Sequence, residues 1–389
     1  RFGSSFCRIS NGLSEFAAAM FVHMPASSDK GDMGLSAGVM PMARPWPLGW
    51  AVLGVVLGLG LLGLAMPLLG AIALLQTLLE TVRFVANLDR DTRTAGDDDS
   101  TDQDVTLVMP GTCGYIFWQL GMVHYVCEQF DTSTSKLAGI SSGAICAQFI
   151  LKLEEAASGA SSGAEAAARV RAHAQELFAL LDRRIAPVLW WPLGFLGRMG
   201  LLLDDLGKDL MPKIVPQGRI RMGVRRFTGG MVPALVPDVV TNFASVEDFS
   251  SAVAATSCVW LVVRLEPVRW LRQKCSFCCD GCNPFSFFCF AEYFHHLRTG
   301  LAQRTAPRPT FTGGLDMIYP IWNCGVMERT LPKRGAHIWL TPTVGGNLKL
   351  WNALRFSGWF AGEQYRLGYD HARGLDLQGY FSALSRRPR

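Results

Sequence analysis

The apolar and polar positions along the chain fall into distinct regimes. From Pro45 to Leu79 there is no charged residue, and the run is apolar on every face. A bilayer-spanning helix takes about 20 such residues, so the run is long enough for one tilted span. Pro67 and the glycines around it also permit a re-entrant hairpin, and Trp46 and Trp50 at its entry suit a membrane–water interface. Residues 1–44 show no comparable pattern and are expected to form a poorly structured leader. The expected hydrophobic segment covers residues 45–82. Residues 83–104 follow it as an acidic linker, whose stretch from Asp89 to Asp104 is polar and without apolar periodicity.

The pattern changes again at Val105-Thr-Leu-Val-Met109, a short continuous apolar run that predicts a buried strand. It ends in the turn Pro110-Gly111-Thr112-Cys113-Gly114. Apolar residues spaced at helical turns then predict a helix from Tyr115 to Phe130. A second apolar approach, Lys136-Leu-Ala138, leads into Gly139-Ile-Ser-Ser-Gly143 and the helix-compatible run Ala144–Leu151. Strand, helix, strand, helix in this order is a βαβ unit, and it implies a parallel sheet. Further on, residues 154–183 are alanine-rich and helical apart from a loop at Ser158–Gly163. The runs Pro187–Gly197 and Met199–Leu203 are apolar and aromatic, suited to core or to an acyl-chain groove. Arg219–Val224 and His337–Pro342 read as strands. Asn242–Ser257 reads as a helix capped by Ser245, with Asp248 three residues on.

Composition refines this picture in three respects. At 389 residues and 49% hydrophobic content the chain can bury a sizeable core. The net charge of +5 is modest and its basic residues are scattered, so the chain lacks the footprint of a nucleic-acid partner. The 11 cysteines are an odd number in a long chain, which argues against a disulfide framework and for a reducing compartment.

The clearest candidate chemistry is Gly139-Ile140-Ser141-Ser142-Gly143, which fits the G-x-S-x-G pattern of a nucleophile elbow. Glycines two before and two after the serine let strand and helix pass without a Cβ clash, and the helix start presents amides to developing negative charge. The glycine turn at 111–114 offers further backbone amides at a helix start, suited to a phosphate or an oxyanion. Its spacing matches neither the P-loop nor the dinucleotide fingerprint, so no nucleotide cofactor is expected. Cys275, Cys278, Cys279 and Cys282 form overlapping C-x-x-C pairs. Four thiolates can bind zinc, but adjacent pairs strain such a site. The interleaved Phe277, Phe285, Phe287, Phe288 and Phe290 also allow an interfacial loop with acylated cysteines.

In their order, Pro110–Gly114, Gln119–Val123 and Gly139–Gly143 resemble the patatin-like phospholipases, as does Asn242–Ser257. So do the late segment Thr310-Phe-Thr312-Gly313-Gly314-Leu-Asp316 with Pro320, the strand after it, and the closing helix around Gln364–Ala372. The resemblance covers residues 105–375 and leaves 376–389 as a tail. It implies a three-layer α/β sandwich with a central, mostly parallel sheet, preceded by the membrane-inserted helix or hairpin. It also implies a serine acyl hydrolase whose Ser141 attacks an ester carbonyl, with an aspartate taking the proton and Gly111, Thr112, Cys113 and Gly114 supplying oxyanion amides. The expected substrate is a lipid ester, either phospholipid or acylglycerol. The expected location is an intracellular membrane or lipid-droplet surface, at the endoplasmic reticulum or a droplet.

One landmark departs from the family. Where its strand ends in Asp-Gly-Gly, this chain has Thr312-Gly313-Gly314, and a threonine hydroxyl has no basicity comparable to a carboxylate. Asp316 is the nearest replacement; Asp280, also followed by a glycine, is a second, set in the cysteine-rich segment. His124, on the helix after the glycine turn, reads as a core histidine. The alternative to the enzyme is a catalytically inactive lipid-binding or scaffold module on the same fold.

Overall fold

The apolar run Val105–Met109 forms strand β1, buried from Thr106 onward and flanked by a parallel neighbour on each side. Burial on both faces is what a strand without alternation requires. The computed structural model describes residues 101–189 apart from 102, 113 and 114, then 209–229, 234–258, 268–281, 326, 330–341 apart from 333, and 358–388, with isolated positions between 60 and 82. All of these lie in one unit, Val55–Arg389.

After β1 come α1 (Ile116–Gln129), the short β2 (Phe130–Asp131), β3 (Lys136–Ile140) and α2 (Ser142–Ala157). β1 and β3 pair in parallel, with Leu107 opposite Leu137, so the expected βαβ unit is present. The alanine-rich region resumes after the Ser158–Gly163 break as α3 (Gly163–Leu189). Next are β4 (Ile220–Thr228), β5 (Ala234–Val240) and α4 (Val246–Thr256), with the Ser245 hydroxyl accepting from the Asp248 amide as the cap pattern requires. The remaining elements are β6 (Arg269–Leu271), β7 (Ser276–Asp280), β8 (Ala336–Trp339), α5 (Gly358–Leu377) and β9 (Ser385–Arg386).

The fold is mixed α/β. Its sheet has a parallel centre in the order β8, β1, β3, β4, extended by antiparallel β5, β7 and β6. β4 is longer than its neighbour β3, and this positions the site. One edge of β4 is covered by β5 from Met222 to Thr228. The other edge is shared: β3 pairs in parallel with Ile220–Gly223, and β7 pairs antiparallel with Val224–Arg226. β3 and β7 therefore run head-on along one edge, and their last residues, Ile140 and Asp280, face consecutive residues of β4.

Leu107, Met109, Leu137 and Met222 belong to the main core, with the apolar residues of α1, α2 and α3. Val108, Ala138 and Ile140 point the other way, to Val326 and Leu331. α5 lies against α1 with backbone nearly touching backbone: a Cβ on Gly121 would collide with the Tyr365 carbonyl, and one on Gly368 with the Trp118 carbonyl. Beside this crossing sits a buried carboxylate, Glu128. It accepts from Tyr369 Oη at 3.0 Å and from Arg171 Nε at 3.1 Å, and His124 Nε2 lies 3.3 Å away. His124 Nδ1 in turn meets Tyr365 Oη at 2.9 Å. The histidine is thus a partnered core residue, as expected.

Segments on both sides of the expected 105–375 domain also make contacts with it. Residues 376–388 pack on the fold: Phe381 and Leu384 are buried, β9 pairs with β2, and Asp376 accepts from Tyr125 Oη at 2.7 Å. The apolar side chains at 381 and 384 need the core, which the short motif-based boundary at 375 did not register. The end of the linker also joins the fold, since Asp104 pairs with Lys136 at 2.9 Å and its carbonyl accepts from Ala336.

Most of residues 45–82 lies outside the described residues; the isolated positions there are helical, with Leu74, Leu75 and Leu78 exposed. Among the described residues no helix is long and apolar enough to cross a membrane, so the membrane-inserted part of the expected architecture has no support in them.

Burial pushes the Glu128 carboxyl up, but hydrogen bonds from His124, Arg171 and Tyr369 outweigh it and bring the group from its ordinary 4.5 down to about 2. A depressed carboxyl stabilises the fold fully above its unfolded value and loses that contribution as the pH falls toward the folded one. The stabilisation from Glu128 is therefore complete above about pH 4.5 and fades toward pH 2. Glu128→Gln is expected to lower stability at neutral pH by roughly 3 kcal/mol and to flatten the acid limb of the urea-midpoint profile. An unchanged acid limb would show that other groups set it.

Candidate active site

The chain leaves β3 and enters α2 through a single residue, Ser141, whose backbone sits at φ 53° and ψ −124°. A non-glycine residue in so sparsely populated a region costs about 1–3 kcal/mol and persists only where its surroundings hold it. The turn places the serine hydroxyl at the carboxyl end of the parallel strands, where open α/β sheets bind ligands. The glycines of the motif are sterically required. A Cβ on Gly139 would stand 2.8 Å from the Gly143 carbonyl oxygen, and one on Gly143 would collide with the Met109 carbonyl. The strand-turn-helix inferred from G-x-S-x-G is thus present, with each glycine at a close backbone approach.

Ser141 Oγ donates to Asp280 Oδ2 at 2.6 Å. The short distance fits a hydroxyl donating to a carboxylate. The aspartate comes from the end of β7, which the shared edge of β4 brings level with the end of β3. Its carboxylate is buried, and its amide donates to the Cys258 carbonyl at 3.2 Å. Gly281 follows, and a Cβ there would stand 2.6 Å from Ile140 Cγ2. Arg225, buried on β4, reaches the Gly281 carbonyl with its Nε at 3.4 Å. The Asp-Gly turn is therefore fixed against the same strand that fixes the serine.

Neither a family model nor a curated protein matches this chain.

Of the two carboxylates weighed from the sequence, Asp280 is in contact with Ser141. Asp316 and Thr312 lie outside the described residues. A partial signal for Asp280 is present: Ser276-Phe-Cys-Cys-Asp280-Gly281 is a strand ending in Asp-Gly, the first two residues of the Asp-Gly-Gly ending sought at Thr310–Asp316. Its cysteines and phenylalanines concealed it by suggesting a loop. Ser276–Asp280 is a sheet strand, with Cys278 and Cys279 buried in it and Phe277 half-exposed beside Trp270 of β6, ring centroids 5.2 Å apart. Burial pushes the Cys278 thiol up to about 12 and that of Cys279 well above its usual value. Among the described residues no group of three or more His, Cys, Asp or Glu is placed to hold a metal ion. Cys282 and Cys289 lie outside them.

The expected oxyanion turn is only partly as anticipated. Gly111 and Thr112 are buried beside the elbow, while Cys113 and Gly114 lie outside the described residues. The Thr112 amide is already engaged, donating to Ser142 Oγ at 2.8 Å, and the Thr112 hydroxyl meets Ser142 Oγ at 3.1 Å. A buried amide takes the nearest acceptor, and the second serine of the motif supplies one. Gln119 ties this corner together: its Nε2 donates to the carbonyls of Leu340 at 2.7 Å and Pro110 at 3.2 Å, and its Oε1 accepts from the Thr112 hydroxyl at 3.2 Å. This leaves the opening amides of α2, those of Ser142 and Gly143, as donors with no intrahelical acceptor. The helix dipole there favours negative charge.

A polar cavity of about 320 Å³ lined by Asp104, Asp131 and Ser135 lies at the opposite, amino-terminal end of β1 and β3, remote from this chemistry.

Gly143→Ala is expected to separate α2 from β1 and destabilise the protein by about 1–3 kcal/mol, as overpacking does, with the melting temperature falling accordingly. Gly374→Ala, in α5 with open space around it, is the matched control and should be neutral or slightly stabilising. Equal melting temperatures for the two variants would refute the steric reading of the elbow.

Proposed function

We propose that this protein is a serine acyl hydrolase of the patatin-like kind, working through a Ser141–Asp280 dyad on lipid esters, either phospholipid or acylglycerol, at a membrane or droplet surface. The observation that carries the proposal is the 2.6 Å bond from Ser141 Oγ to Asp280 Oδ2. It supplies a carboxylate at the nucleophile, which Thr312 had left in doubt. The lipid substrate rests on the family resemblance and on the apolar run from Pro45 to Leu79.

In the first step Asp280 takes the proton as Ser141 Oγ bonds to the ester carbonyl carbon, and the carbonyl electron pair moves to oxygen. The opening amides of α2, with Gly111 beside them, are placed to stabilise that oxyanion. Collapse breaks the bond to the alcohol, which leaves with the proton from Asp280. Water then gives its proton to Asp280 and attacks the acyl-serine; collapse breaks the bond from the acyl carbon to Oγ, which takes the proton back from Asp280, and the fatty acid is released. An alcohol in place of water turns hydrolysis into acyl transfer by the same steps.

The engaged Thr112 amide favours a second reading, an inactive lipid-binding module, because it removes one oxyanion donor. A fluorophosphonate probe separates the two. Under the enzymatic reading the full chain in detergent or bilayers is labelled, Ser141→Ala is not, and Asp280→Asn loses ester turnover by about 10²–10⁴-fold while melting as the parent does. Absence of labelling in every lipid environment would leave the inactive module.

A further inference from the structure

We infer that Thr256 is a positioning residue of the dyad, and that with Ser257 it holds the backbone of the nucleophile in its strained conformation. Thr256 ends α4 and is fully buried. Its hydroxyl accepts from the Ser141 amide at 3.0 Å and donates to the Gly223 carbonyl at 2.5 Å. Gly223 is the β4 residue opposite Ile140, and its successor, Val224, is opposite Asp280. One hydroxyl therefore ties the nucleophile to the rung of β4 where the two catalytic strands meet. Ser257 completes the grip, its hydroxyl donating to the Ser141 carbonyl at 3.2 Å. Both main-chain polar groups of Ser141 are thus held by consecutive side chains from an element more than 100 residues later, about 115 by the amide bond.

The physical need for such a grip follows from the backbone of Ser141. At φ 53° a serine gains by relaxing toward an ordinary region, and a turn of its peptide would swing Oγ away from Asp280. Glycines at 139 and 143 permit the turn but do not hold it. A hydroxyl that both accepts from the Ser141 amide and donates to β4 opposes the rotation directly. It also occupies the Ser141 amide, so oxyanion donors must come from the residues that follow.

The inference rests on the proposed hydrolase only for its kinetic readout. Thr256→Val keeps the shape and removes the hydroxyl; Thr256→Ser restores it. In Thr256→Val the second-order rate of fluorophosphonate labelling is expected to fall by about 10²-fold, the effect of misplacing a reacting group by about 1 Å. With a short-chain nitrophenyl ester, kcat should fall and KM stay near that of the parent, while Thr256→Ser regains most of the loss. Deuterium exchange in the peptide spanning Gly139–Gly143 should rise in Thr256→Val and return in Thr256→Ser, and this readout needs no activity. If the parent protein is unlabelled, the hydrolase reading fails and the exchange measurement still decides the grip. If Thr256→Val does not fold, Ser257→Ala tests the other bond and should show a smaller rise in exchange. Parent-like exchange at the elbow in the folded variants would overturn the inference.

Discussion

Strand β4 runs on past the end of β3, and the edge it leaves unpaired there admits β7 from the opposite direction. That difference in strand length is the constraint on which the site depends. Because Gly223 faces Ile140 and Val224 faces Asp280, the separation of nucleophile and carboxylate is set by adjacent rungs of one strand. Hydrogen-bond ladders are among the stiffest elements a fold offers, and a site built on them is held more closely than one on loops.

Around that rung the structure balances strain against satisfaction. Ser141 occupies an unfavourable backbone region, yet its amide and carbonyl are paired to Thr256 and Ser257. Thr112, Ser142 and Gln119 form a buried polar corner in which the donors and acceptors meet one another. In a low-dielectric interior such a network resists displacement, since breaking one bond leaves a costly unpaired group. The same satisfaction narrows the chemistry. Under the proposed hydrolase, an amide bonded to Ser142 is withdrawn from a substrate, so more of the charge stabilisation would fall to the start of α2.

Much of the central architecture was legible in the sequence because it is local. The apolar run of β1, the elbow, the break between α2 and α3 and the Ser245 cap all follow from residues a few positions apart. What the sequence left undecided depends on distant pairings. Asp280 meets Ser141 across 139 residues through an antiparallel strand, and no spacing rule announces such a partner. The content of β7 misled as well, since paired cysteines beside Phe277 fit an interfacial loop as readily as a strand buried from Cys278 to Asp280. The engagement of Thr112 turned on Ser142, a residue the motif leaves unspecified. The packed residues beyond Leu375 carried a modest signal in Phe381 and Leu384, legible only once α1 and β2 are known to lie beside them.

The crossing of α1 and α5 through Gly121 and Gly368 has a consequence for the order in which the molecule can be built. α1 is the connecting helix of the βαβ unit, yet its notch at Gly121 is filled by the backbone of a helix made more than 200 residues later. β1 waits for β8, and β2 waits for β9. The segment from β1 to β2 must therefore persist with open strand edges and an unfilled helix groove until β8, α5 and β9 have been made, a state in which unpaired edges invite aggregation. A chain cut short before Gly358 loses no residue of the dyad, but it loses the last helix against which the first one closes.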